Sequence, residues 1–258
     1  MKNICRLLDS VNKEVPVERD FLNDLKRSIE MTEDKYKRKP SQTYKPSGMQ
    51  CIRNMYYQVS GTEQDNGSSN YTLIGICNSG TDIHDRTQKA IMLMKDNGID
   101  CEYIDVAEYV KSRNLDYLDI VSKTGNETKL YHKELNISFL CDGIIRYKGH
   151  YYILELKTEN SYKWQIRQGV DEKHFNQGIA YSLAFGIDEV IFVYISRDIL
   201  DMKAFMFNVT DEMKKSLLDK INDCNGYVER QITPPKPENI TNKICAYCSY
   251  KNTCKKEM

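Results

Sequence analysis

Net charge is the first thing this 258-residue chain lacks, because 37 Lys plus Arg stand against 37 Asp plus Glu. No overall positive field announces a nucleic-acid partner, so any such surface has to be a local patch on a neutral protein. Long apolar runs are missing as well. VIFVYI at 190–195 is the longest solid one and is far too short to cross a bilayer. No N-terminal stretch follows the basic, apolar, small-residue order of a signal peptide, and neither repeats nor low-complexity tracts occur. These absences predict a soluble, cytoplasmic protein with one main domain, long enough to bury a substantial apolar interior.

Cysteine, by contrast, is plentiful, with nine in the chain. In a reducing compartment they argue against a disulfide framework and for metal ligation or simple burial. Cys5, Cys77, Cys101, Cys141 and Cys224 stand alone and read as small apolar residues. The chain ends CAYCSYKNTCKKEM, which spaces Cys245, Cys248 and Cys254 as C-x2-C-x5-C. Zinc and iron-sulfur clusters both usually take four protein ligands, so a fourth has to come from elsewhere, and spacing alone does not separate the two metals.

Residues 18–38 place Phe21, Leu22, Leu25, Ile29 and Tyr36 at helical intervals, with charges on the other face. After KPSQTYKPSG, the stretch CIRNMYYQVSG reads as a short helix carrying Cys51. Residues 78–98 form a third helix, with Ser79 or Thr81 as N-cap, Asn97-Gly98 as stop, and His84 at the edge of its apolar stripe. Strands are expected over 128–135, 136–148 and 150–158, then a helix over 171–186 and strands over 189–196 and 202–210. A last helix over 211–230 leads through PPKPENITN, a stiff linker, into the cysteine tail. The order helix, three strands, helix, strand defines an α/β core, and the path from 150 to 196 is long enough for a parallel crossover.

The stretch LCDGIIRYKGHYYILELKT carries the most informative arithmetic. If Lys148-Gly149 is a two-residue turn, opposed residues have numbers summing to 297, so Asp142 faces Glu155. Carboxylates with Cβ atoms ~5 Å apart repel unless a cation or proton sits between them. Lys157 falls on the same face as Glu155. An Asp, a Glu and a Lys converging there suit metal-assisted phosphodiester hydrolysis: oxygen ligands hold magnesium or manganese, while the lysine positions a water or steadies developing negative charge. The plainer alternative is a surface Glu-Lys charge pair, against which stands the apolar company of Glu155 in YYILELKT. His84 is an additional candidate ligand, or a packed structural histidine. Gln177 and Tyr181, at i and i+4, offer an amide and a phenol to a nucleic acid, or serve as partial core.

Taken together, GTDIH (80–84), CDGII (141–145), ELKT (155–158) and QGIAY (177–181) resemble the ordered motifs of the RecB-like branch of the PD-(D/E)XK nuclease superfamily. The resemblance runs from residue 80 to about 196. It implies a restriction-endonuclease-like core in which His84, Asp142 and Glu155 bind Mg2+ or Mn2+, Lys157 is the catalytic lysine, and Gln177 with Tyr181 forms a Q-x3-Y element near the DNA. The cysteines resemble those of the Cas-four, AddB and Dna-two nucleases, which implies that Cys51 joins Cys245, Cys248 and Cys254 around a [4Fe-4S] cluster. No GxxxxGK[ST] loop occurs, so a standalone Cas-four-like type is the closer likeness.

The implied organisation is a helical region over 1–78 with the first cluster cysteine, a nuclease core over 79–232 and a cluster-binding tail over 233–258 packed with the first region. The implied function is a metal-dependent exonuclease acting on single-stranded DNA or DNA ends, in repair, recombination, phage replication or CRISPR adaptation. The alternative is a cluster-stapled nucleic-acid-binding subunit of a larger complex that does not cleave. Tyr44, Tyr56, Tyr57, Tyr162, Trp164 and Arg167 are candidates for stacking and phosphate contacts. Lys35, Lys37, Arg38, Lys39, Lys251, Lys255 and Lys256 are candidates for a basic rim.

Overall fold

The computed structural model describes residues 17–34, 40, 42–65, 70–124, 127–238 and 240–257. Contacts divide the chain into a smaller unit, 1–38 with 66–78, and a larger one, 39–65 with 79–258. The segment bearing Cys51 therefore belongs to the same unit as the core and the cysteine tail.

Helix α1 (Val17–Asp34) lies in the smaller unit. There the Tyr71 amide donates to Glu30 Oε1 at 3.0 Å, and the Lys26 ammonium sits 4.7 Å from the centre of the Tyr71 ring. Of the apolar stripe read along α1, Phe21, Leu22 and Leu25 are exposed and Ile29 is half-buried. Tyr36 lies outside the described residues, as do Cys5, Lys35, Lys37, Arg38 and Lys39.

The larger unit begins with α2 (Ile52–Val59), whose N-cap position is Cys51, followed by the part of α3 (Tyr71–Met92) from residue 79 onward. Then come β1 (Cys101–Ile104), α4 (Val106–Ser112), β2 (Leu118–Thr124), β3 (Glu127–His132), β4 (Ile137–Cys141), β5 (Gly143–Tyr147) and β6 (His150–Glu159). The chain continues through α5 (Ser161–Gln165), α6 (Phe175–Phe185), β7 (Glu189–Ser196), β8 (Met202–Asn208), α7 (Asp211–Glu229), α8 (Asn242–Ala246) and α9 (Lys251–Lys256). A five-stranded sheet runs β1-β5-β6-β7-β8, and a second sheet runs β2-β3-β4. The β6–β7 pair is parallel and is joined through α5 and α6, so the expected order of helix, three strands, helix, strand is present in an α/β fold.

The hairpin register is the one the sequence dictates. Ile145 pairs with Tyr152 and Tyr147 with His150, across a turn whose Lys148 and Gly149 have φ of 49° and 85°. Left-handed φ at both central residues gives the turn the twist of its flanking strands, which is why a glycine serves there.

The single strand expected over 136–148 is in fact two. Strand β4 belongs to the small sheet and β5 to the large one, with Asp142 at the joint between them. Residues 141–145 are all buried, which breaks the alternation of one continuous half-exposed strand. Gly143 permits the crossing: a Cβ there would lie 2.5 Å from the Tyr103 ring, whose hydroxyl donates to the Asp142 carbonyl at 3.1 Å. Elements β1, α4 and β2 were not anticipated. A strand of four residues and a helix of seven are too short to show a period. Helix α4 starts where it does because the Asp105 carboxylate accepts the Ala107 and Glu108 amides at 2.9 and 3.0 Å.

The core lies between the large sheet and α6, where Ile144, Ile153, Val190 and Phe192 meet Ile179, Ala184 and Phe185. Helix α6 stops at Gly186, whose φ of 66° supplies a left-handed cap. Helix α7 buries Leu217, Ile221 and Cys224 and packs against α2, so the cysteine end of α2 is fixed to the core. Among the described residues no helix is long and apolar enough to cross a membrane.

Candidate active site

Three elements converge at the β4/β5 joint. Residues 79–92 of α3 bring His84, whose Nδ1 lies 3.7 Å from Asp142 Oδ1. The same helix holds the joint itself, because Gln88 Nε2 donates to the Asp142 carbonyl at 2.8 Å. Strand β6 supplies Glu155 and Lys157, which form an ion pair. Helix α6 supplies Gln177, whose Nε2 donates to Glu155 Oε1 at 3.3 Å. The sequence-derived set of His84, Asp142, Glu155, Lys157 and Gln177 is therefore gathered in one place.

Asp142 and Glu155 are buried, with 6% and 4% of their surface exposed, so neither is a solvated surface charge. Lys157 shows 19% of its side chain to solvent. Asp142 Oδ2 accepts the Leu156 amide at 2.7 Å, whereas Glu155 Oε2 is buried with no hydrogen-bond partner. A buried carboxylate oxygen without a donor is costly unless a proton or a cation reaches it. Burial pushes the Glu155 carboxyl up to about 7, with the Lys157 ammonium opposing that rise and the Asp142 charge reinforcing it. His84 is moved the other way from what burial alone would do: the closeness of Asp142, and then Glu155, raises it.

Sequence reasoning missed Glu127. His84, Glu127 and Asp142 each present one donor atom within 4.8 Å of the others, which makes a half-closed cage of one imidazole and two carboxylates suited to a divalent cation. Burial and then the Asp142 charge raise the Glu127 carboxyl. A signal existed. Thr128 pairs with Cys141 and Leu130 with Phe139, a constant sum of 269 that places Glu127 across from Asp142. The connection over 133–136 is longer than two residues, so unlike Lys148-Gly149 it does not fix a register from sequence.

Other expected contacts fall elsewhere. Tyr181 is buried, its hydroxyl donates to the Leu140 carbonyl at 2.7 Å, and its ring centroid lies 5.2 Å from that of Phe139. It braces the strand leading into Asp142, and its hydroxyl also accepts from Gln177 Nε2 at 3.5 Å, so the pair Gln177 and Tyr181 sits together beside the site with the phenol buried. Trp164 is buried too and donates its indole N–H to the Tyr194 carbonyl at 3.1 Å. Arg167 holds Glu159 through two bonds of 2.6 and 2.8 Å beneath the surface. Trp164 and Arg167 are structural, because each turns its polar atoms inward. Tyr44 and Tyr57 are buried, Tyr56 is half-buried and Tyr162 is exposed.

The four cysteines form a second centre. Cys51, Cys245, Cys248 and Cys254 are free, half-buried thiols, and all four line one cavity of about 1030 Å³. Cys51 arrives on the end of α2, and the other three on the tail. Burial raises the Cys51 and Cys248 thiols, and the neighbouring thiols add to it. Donors aim at the sulfurs: Asn54 Nδ2 lies 3.4 Å and the Tyr250 amide 3.5 Å from Cys248 Sγ. Arg53 lines the same cavity with its Nε buried and unpartnered. Clustered thiols with N–H donors, beside a guanidinium that pairs with Glu257 through Nη2 at 3.1 Å and keeps its buried Nε unpartnered, fit an anionic metal-thiolate group. Cys77 is exposed, and Cys101, Cys141 and Cys224 are buried as small apolar residues.

No protein-family model matches the chain, and no curated protein matches it. Among solved structures, SSO0001 aligns with a TM-score of 0.48 at 17% identity, covering 92% of this chain and 98% of its own. An alkaline exonuclease from Laribacter hongkongensis (LHK-Exo) aligns with a TM-score of 0.45 at 11% identity, covering 74% and 90%. Its complex with dAMP gives 0.42 at 11%, covering 74% and 89%.

Proposed function

We propose that this protein is a divalent-metal-dependent deoxyribonuclease, acting as an exonuclease on single-stranded DNA or DNA ends and stapled by a [4Fe-4S] cluster. The observation that carries the reading is the buried meeting of Asp142 and Glu155 beside Lys157, with one oxygen of Glu155 left without a donor. His84, Glu127 and Asp142, whose donor atoms lie within 4.8 Å of one another, would hold Mg2+ or Mn2+, with the nearby Glu155 as a further carboxylate. When bound, such an ion acidifies a water and polarises a phosphate oxygen. The chain's own contribution is positioning. The Leu156 amide fixes Asp142, Gln177 fixes Glu155, and the Lys157 ammonium, paired with Glu155, would position a water and meet negative charge as it develops on the phosphate.

Four thiols lining one cavity support a metal-thiolate group there, and the [4Fe-4S] cluster is the form that the sequence resemblance implies. Held so, the group would tie α2 to the last segment of the chain as a structural staple.

The test is incubation of anaerobically purified protein with end-labelled single-stranded DNA and Mn2+ beside Lys157→Ala. Shortening of the label by the parent protein alone, abolished by EDTA, is the expected result. Equal behaviour of the two proteins would overturn the enzyme reading and favour a binding subunit that does not cut.

A further inference from the structure

The cavity that holds the cysteines has a second wall made of cations. Lys163, Lys173, Lys236, Lys251 and Lys255 line it, against the carboxylates of Asp171 and Glu172. The imbalance is built in at one point. Asp171 Oδ2 is approached by Lys163 Nζ at 3.1 Å, Arg167 Nη2 at 3.3 Å and Lys173 Nζ at 3.9 Å. Glu159 is taken up by the two-fold bond to Arg167, with Lys163 at 3.7 Å. Three cations thus share two carboxylates. Burial and the nearby Lys163 press the Lys173 ammonium down to about 8 even with Asp171 beside it. Yet Lys163 and Lys173 keep 39% and 45% of their side chains open to solvent, where an incoming anion can reach them.

Two further observations narrow the anion. Tyr247, between Cys245 and Cys248, lines this cavity with 93% of its surface exposed, a ring that no protein group covers. An uncovered aromatic among lysines is the arrangement that takes a base on a π-face and a phosphate on an ammonium. The wall also adjoins, along the chain, the helix that serves the candidate active site. Lys173 precedes by one residue His174, whose imidazole is held down to about 2 by burial and then by the charges of Lys157 and Lys173, and by four residues Gln177, which touches Glu155.

We infer that the basic wall of the cysteine cavity is a sequence-independent binding track for single-stranded DNA, in which Lys163 and Lys173 clamp backbone phosphates and Tyr247 stacks a base. The track rests on the nuclease reading for its substrate class and adds the surface by which the strand is held on its way to Asp142 and Glu155. It explains why a chain of zero net charge needs no global positive field.

The test separates the track from the chemistry. Binding of fluorescein-labelled oligo(dT) to iron-matched protein is followed by anisotropy in EDTA across a NaCl series. Lys163→Ala with Lys173→Ala should lower the slope of log K against log salt by ~1.4, two contacts at ~0.7 each for a single strand. Tyr247→Ala should weaken binding roughly 5- to 100-fold at every salt concentration, the size of one lost stacking contact, and Tyr247→Phe should restore it. Unchanged slope and affinity in both variants would overturn the track while leaving the nuclease reading to its own assay. Wild-type binding with these dependences but no cleavage in Mn2+ would uphold the track and sink the nuclease. Loss of iron with an unchanged slope would show that the lysines serve the metal group and would also overturn it.

Discussion

Asp142 Oδ2 accepts the backbone N–H of Leu156 at 2.7 Å, so the aspartate is locked to the strand that carries Glu155 at the preceding residue. Two acids fixed this way cannot relieve their repulsion by moving apart. One of them takes up a proton, or a cation comes between them.

Stability of the metal-free protein should therefore fall as pH rises. Glu155 is pushed up to about 7 by burial, partly offset by Lys157 and reinforced by Asp142, from an ordinary value of 4.5. Between those two values the folded chain binds the extra proton, so the stabilisation is complete below about 4.5 and is lost as pH climbs through about 7. The span corresponds to about 3 kcal/mol. Thermal melts in EDTA should show a lower Tm at pH 8 than at pH 5.5, and Glu155→Gln should flatten that difference. Mn2+ should restore the Tm at pH 8 in the parent protein and not in Glu155→Gln.

Glu127 should count as a metal ligand. Its carboxylate shares a 4.8 Å neighbourhood with His84 and Asp142. Glu127→Gln keeps the shape but removes the charge, and should weaken Mn2+ binding, read by calorimetry or electron paramagnetic resonance, by roughly 10-fold or more. In the metal-free state the same change should leave Tm unchanged or raised, because a carboxyl already lifted by burial and by Asp142 is relieved. Unchanged Mn2+ affinity would remove Glu127 from the centre.

The contrast between Glu155 and Glu127 shows where sequence was legible. Lys148-Gly149 admits a two-residue turn, and the register that follows placed Asp142 beside Glu155 without any structure. The longer connection before β4 admits several registers, so Glu127 stayed invisible although its strand was anticipated. The break at Asp142 was hidden for a different reason. Gly143 marks a strand crossing only when Tyr103, forty positions earlier, is known to press against it, and β1, which carries Tyr103, is too short to announce itself. Cys51 and the tail were readable as a set only through resemblance. Burial decided the rest: Trp164, Arg167 and Tyr181 have the chemistry of a nucleic-acid surface, and only their inward hydrogen bonds show otherwise.

Arg167 should behave as a structural residue. It makes the two-fold bond to the carboxylate of Glu159, itself 6% exposed, whose other cation is Lys163 at a looser 3.7 Å. Arg167→Ala should cost about 3–5 kcal/mol in urea unfolding, the penalty of stripping one partner from a buried ion pair. Arg167→Lys should recover part of it, since an ammonium supplies charge but not the two-fold fork. The salt slope of oligo(dT) binding should stay as in the parent protein. Normal stability with a reduced slope would place Arg167 on the DNA instead.

The cysteine centre makes the last prediction. Cys51 and Cys245 are separated by 193 residues and line one cavity, so a metal group held between them closes a very long loop. By the chain-entropy treatment of a crosslink, closing it stabilises the fold on the order of 5 kcal/mol. Anaerobically purified protein should be brown and carry iron and sulfide at about four each per chain. Cys51→Ser should lose colour and iron, lower the Tm, and open the tail beyond Pro237 to limited proteolysis. Its Mn2+ affinity should fall less than its Tm suggests, because His84, Glu127 and Asp142 are held by α3 and the two sheets rather than by the tail. Stoichiometric zinc without sulfide would replace the cluster with a closed zinc site.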